Sequence, residues 1–158
     1  MDPAASASAP DELLREVERL LREDAPADWA EIHLDFRGSS SICQADMSGT
    51  TANGGALLMP LPDGVVALMR TLRARMYEPG QGTWLSVHVT LRRGRAADFR
   101  FNFTDDPQWS PPVAPTVFSM DVEEFPRDPQ HLPEWLRQRL VEAAEFEEGY
   151  RNDRGSRE

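Results

Sequence analysis

The chain has 158 residues, 40% of them hydrophobic and 28% charged, with a formal net charge of −10. That length suits one domain with a single core, and the acidic balance argues against direct DNA or RNA binding, since like charge repels phosphate. No apolar run approaches the roughly 20 residues of a membrane span and no basic-then-apolar leader opens the chain, so a cytoplasmic location without membrane contact is expected.

Residues 1–10 are small and polar and read as a disordered leader. From Asp11, the stripe Leu13, Leu14, Val17, Leu20, Leu21 has helical spacing, with Pro10 and Asp11 suited to the first turn and an end expected near Asp24. "WAEIHLDFRG" alternates Ile32, Leu34, Phe36 against His33, Asp35, Arg37 and predicts a half-buried strand. "SICQADM" is its expected hairpin partner, with Cys43, Ala45 and Met47 or the opposite register inward, and "SGTTANGG" is a loop by composition.

A second helix is predicted after Asp63 as N-cap, carried by Val65, Val66, Leu68, Met69, Leu72 and Met76, and stopping at Pro79-Gly80. "TWLSVHVTL" places Leu85, Val87, Val89 and Leu91 on one face and Trp84, Ser86, His88 and Thr90 on the other. "RRGR" turns it into "ADFRFNF", a second alternation, so these two form an antiparallel hairpin. Prolines 111, 112, 115, 126 and 129 leave room for one short helix over 116–125, and Pro133 starts a last helix with Trp135, Leu136, Leu140 and Ala143 along one face. The organisation is therefore a leader (1–10), one domain (11–148) and a frayed charged tail (149–158). The fold class is α+β: an antiparallel sheet of four or more strands with helices packed on one face.

The charge is uneven. Residues 1–35 hold ten acids and three Arg, residues 36–97 three acids and seven Arg, residues 98–158 fourteen acids and seven Arg. Such a protein is suited to meeting a basic partner, although acidity also serves solubility alone. His33, His88 and His131 show no metal-ligand spacing and Cys43 is alone, so no metal or other cofactor is expected. Cys43 and His33 on adjacent strands are a conceivable nucleophile–base pair, but a buried structural cysteine is the weightier reading. The carboxylate pairs Asp105-Asp106, Glu123-Glu124 and Glu147-Glu148 are adjacent in sequence, which points neighbours apart on a strand or a helix. No set of acid, base and nucleophile emerges, and the chain does not read as an enzyme.

What remains is a contact surface. Trp84, Trp109 and the acids Asp98, Asp105 and Asp106 lie on or just beyond one hairpin, with Asp121, Glu123 and Glu124 as a second acidic patch. Aromatic anchors rimmed by carboxylates fit a basic protein partner, whereas Trp109 folded back onto the sheet would be purely structural. A second expectation is a small-molecule or regulatory module, with a pocket between the sheet and the last helix walled by Trp84 and Trp135.

The ordered series "GTWLSVHVTL", "RGRAADFRFNFTDDPQW" and "FSMDVEEFPRDPQHLPEWLRQRL" resembles the YezG-like family of antitoxin or immunity proteins. The matching residues are Trp84, Phe99, Phe101, Asp105, Asp106, Pro107, Trp109, Phe125, Pro126, Arg127, Pro133 and Trp135, within roughly residues 60–140, about half the chain. The resemblance implies a non-enzymatic protein, monomer or homodimer, that binds the C-terminal domain of a cognate toxin and occludes its active site. Many such toxins are nucleases with basic clefts, which an acidic partner would match.

Overall fold

The computed structural model describes residues 9–155, so residues 1–8 of the expected leader and 156–158 of the expected tail lie outside the described residues. The chain runs α1 (Pro10–Asp24), β1 (Trp29–Gly38), β2 (Cys43–Thr51), α2 (Val65–Arg75), β3 (Ser86–Arg92), β4 (Asp98–Asn102), α3 (Thr116–Glu124), a 3₁₀ turn (Pro129–His131) and α4 (Glu134–Gly155). This is an α+β fold around one four-stranded antiparallel sheet in the order β2-β1-β3-β4.

In α1, Pro10 sits in the first turn with Asp11 and Glu12, and Leu13, Val17 and Leu21 are buried. Its outer face is tied by the i,i+4 pair Arg22–Glu18 at 3.0 Å and by Arg19 bonded to both Glu16 and Glu23. Ion pairs on a helix surface contribute little, so the helix is held mainly by its buried stripe. Trp29 closes the α1–β1 connection, its ring in cation–π contact with the guanidinium groups of Arg22 and Arg93, 5.5 and 4.9 Å from its centre.

Strand parity fixes the two sheet faces. Ile32, Leu34 and Phe36 pair with Leu91, Val89 and Val87, and Phe99 and Phe101 extend these rows onto β4. On β2, Ala45 and Met47 join the same face, so the register with Cys43, Ala45 and Met47 inward is the one adopted. This face packs under α1 and α2 in a core that includes Leu13, Val17, Leu21, Val65, Met69 and Leu72. Full burial of each such side chain is worth about 1.5–3 kcal/mol, which makes this the principal source of stability.

Five boundaries differ from the sequence expectation. β2 continues through Thr51, because the ten-residue β1 offers ladder partners past the predicted loop start; Gly49 fits there since a Cβ would meet Glu31 O and Leu57. Gly64, with φ 92°, caps α2 in place of Asp63, and α2 ends at Arg75. β3 begins only at Ser86: the chain bends at Leu85, which swings Trp84 off the polar face and into the core. Trp84 is fully buried beside Phe36 and Phe101, ring centroids 6.0 and 5.7 Å away, and its Nε1 donor finds no partner among the described residues. Finally, residues 149–155 of the expected tail are helical, continuing α4 through Gly155.

A second, smaller core forms where α3 and α4 pack together, built on Trp109, Phe118 and Leu136 with Val113, Val122, Leu132, Trp135 and Leu140 around them. The connection from β4 to α3 contains a cis Ser110–Pro111 bond and is fastened to the sheet by polar contacts. Arg37 Nε donates to Pro107 O at 2.6 Å, and Gln44 bonds the backbone of Ser110. No described helix is long and apolar enough to cross a membrane.

Candidate functional site

The predicted acidic and aromatic residues do not form one patch. Asp98 starts β4 and reaches its own strand neighbour Arg100 at 3.0 Å. Asp105 is exposed just beyond the same strand, in a turn organised by Asn102, whose Oδ1 accepts from Asp105 N at 2.8 Å. Asp106 is half-buried; its Oδ1 accepts from Gln108 N at 2.9 Å, an Asx turn that accommodates Gln108 at φ 54°. Trp109 is a structural lid rather than an exposed anchor: it is 8% exposed and belongs to the second core. Asp106 and Trp109 nevertheless line one cleft of about 320 Å3 with Arg139 and Glu142. Glu123 and Glu124 are exposed at the end of α3, where Glu124 lines a different cleft with Ser40 and Arg70.

Asp121 does not belong to the surface. It is 8% exposed and takes a two-pronged bond from Arg73, Nη1 to Oδ1 at 2.5 Å and Nη2 to Oδ2 at 2.7 Å. Ser40 N also donates to Oδ1 at 2.9 Å, and Arg73 Nε donates to Trp84 O at 2.8 Å. A buried carboxylate satisfied in this way joins α2, the β1–β2 turn and α3; it is not available to a partner.

The sheet face opposite α1 and α2 is covered at one end by the 107–110 connection, held by Arg37 and Gln44, and beside it the fold assembles something the sequence did not announce. Along β1 and β3, Glu31, His33, His88 and Asp35 form a continuous hydrogen-bonded run. His33 Nε2 lies 2.7 Å from Glu31 Oε1, His33 Nδ1 lies 3.1 Å from His88 Nε2, and His88 Nδ1 lies 2.6 Å from Asp35 Oδ1. Thr90 Oγ1 lies 3.4 Å from His33 Nδ1 and offers that nitrogen a second partner. Asp46, Arg92 and Arg100 surround the run at the same solvent-facing level. Cys43, on the core face of β2, points away from the run, so the Cys43–His33 pair is not assembled. Among the described residues no three His, Cys, Asp or Glu side chains converge on a metal site.

The pocket expected between Trp84 and Trp135 is also absent as drawn, since Trp84 is sealed in the main core and Trp135 packs in the second one. Trp135 Nε1 instead donates to Thr104 O at 2.7 Å and pins α4 to the end of the hairpin. The sequence alternation places His33 and His88 each on a polar strand face, and the pairing of β1 with β3 brings the two faces together. No family model and no curated protein matches the chain.

Proposed function

We propose that the chain is an immunity protein that binds and occludes a cognate toxin domain with a basic surface. The observation that carries this reading is a set of carboxylates left without neutralisation. Asp105, Asp106, Glu123 and Glu124 have no cation within ion-pair range among the described residues, and three of the four are exposed. Their repulsion is relieved when a cationic partner docks, and the same field accelerates its approach. The resemblance carried by the Asp105–Trp109 turn and the Phe125–Arg127 and Pro133–Trp135 blocks supports the same reading. Asp98 and the cleft between Asp106, Trp109 and Arg139 extend the surface such a partner would cover.

Because the four carboxylates lie at the solvent boundary, they act mainly on association rate. The test is co-expression with a toxin domain encoded beside the gene, followed by binding kinetics. Growth rescue is expected, and the double reversal Asp105→Arg, Asp106→Arg should slow association about tenfold at low salt and less at high salt. Failure of rescue sinks the function; an unchanged association rate moves the contact elsewhere on the molecule.

A further inference from the structure

Where the 78–82 turn, the end of β4 and the 127–133 connection meet, they line a solvent-open cavity of about 420 Å3, within the range of small-molecule sites. Phe103, Leu132 and Pro133 supply apolar wall, and Phe103 is 38% exposed although it ends an otherwise inward-facing row of phenylalanines. Arg127 supplies the charge. Its Nη1 donates to His131 O at 3.1 Å and its Nη2 to Thr83 O at 2.9 Å, so backbone carbonyls fix the guanidinium in place. Gly82 lets it lie there, since a Cβ at that position would collide with the guanidinium.

Among the described residues no carboxylate lies within ion-pair distance of Arg127. Burial holds its pKa below the ordinary arginine value; Asp121 opposes that shift and Arg73 adds to it. Asp121 is already gripped by both prongs of Arg73, which leaves two buried-side arginines sharing one acid. A half-buried cation that faces a cavity with no carboxylate in ion-pair range has its electrostatic demand only partly met. Glu78 on the same wall tempers it, so a singly charged group fits better than a phosphate.

We propose that this cavity binds a small organic carboxylate with an apolar tail, the carboxylate on Arg127 and the tail against Phe103, Leu132 and Pro133. The site is independent of toxin binding and stands if that reading fails. A free acid and the C-terminus of a protein chain present the same group.

The probe is 3-phenylpropionate, titrated into the isotope-labelled protein at neutral pH by NMR, with neutral 3-phenylpropionamide beside it. The acid should shift the amides of Gln81, Thr104 and His131 and bind at least about tenfold more tightly than the amide, as expected for a charge-assisted bond. Arg127→Lys should weaken the acid selectively. Since Arg127 also clamps the backbone, Gln81→Glu serves as a second variant that leaves the clamp intact and should weaken the acid by a similar factor. A dipeptide ending in free phenylalanine separates the sources: tighter binding than 3-phenylpropionate assigns the site to a chain terminus, weaker binding to a free acid. Equal binding of acid and amide, shifts confined to other surfaces, or an unaltered affinity in Gln81→Glu would overturn the proposal.

Discussion

The two cores of this molecule are built on different physics. The larger, under α1 and α2, is a broad apolar contact in which Val17, Leu21, Leu34, Val65, Met69, Leu72 and Leu91 are fully buried. The smaller, between α3 and α4, rests on three buried side chains, Trp109, Phe118 and Leu136. That second unit is held to the first by named polar bonds: Arg73–Asp121, Arg37 to Pro107 O, Tyr77 Oη to Pro126 O, Arg127 to Thr83 O and Trp135 to Thr104 O. Burial is non-directional and tolerates repacking, whereas a short list of directional bonds fixes one arrangement and fails abruptly when a member is lost. The second core is thus expected to open at lower free energy than the first.

The largest effect is expected from Asp121→Ala. It strands the Arg73 guanidinium in a buried site and should cost about 3–5 kcal/mol. Denaturant unfolding measures the loss, and hydrogen exchange shows where it falls. Amides of α3 and α4 should lose protection well before those of β1 and β3; uniform loss would mean that the two cores are one cooperative unit.

Trp109→Ala should come next, at about 3 kcal/mol, the lower end for a buried aromatic because so small a cluster can collapse onto the gap. Its thermal transition should broaden or split if the cores melt separately. A single sharp transition shifted by the full amount would contradict the division.

His88→Asn breaks the hydrogen-bonded run on the polar sheet face and touches neither core. A cost of about 1 kcal/mol is expected, with the denaturant dependence unchanged. A loss comparable to that of Asp121→Ala would show that the polar face supports the fold far more than its exposure suggests.

The first core was legible in the sequence because its information is periodic. Alternation in 30–37 and 85–101 and the helical stripes at 13–21 and 65–72 each state which face is inward, and the structure uses them almost unchanged. Trp84 escaped because a bend at Leu85 interrupts the period, and nothing local in "GTWLS" announces it. The second core is carried by residues whose chemistry is ambiguous in one dimension. Asp121 has the same acidic character as Glu123 and Glu124, and only the position of Arg73, distant in sequence, makes it structural. The His33–His88 run and the Arg127 cavity escaped for the same reason: each depends on strand order or loop convergence rather than on spacing along the chain.

One incidental property of this division is optical. The four tryptophans split evenly, Trp29 and Trp84 in the sheet core and Trp109 and Trp135 in the helical one. Replacing one pair by phenylalanine leaves a protein whose tryptophan emission, excited at wavelengths where the two tyrosines do not absorb, comes from one region only. Two such variants, each referenced to its own folded baseline, turn ordinary fluorescence into a region-resolved reporter of opening, with no attached dye.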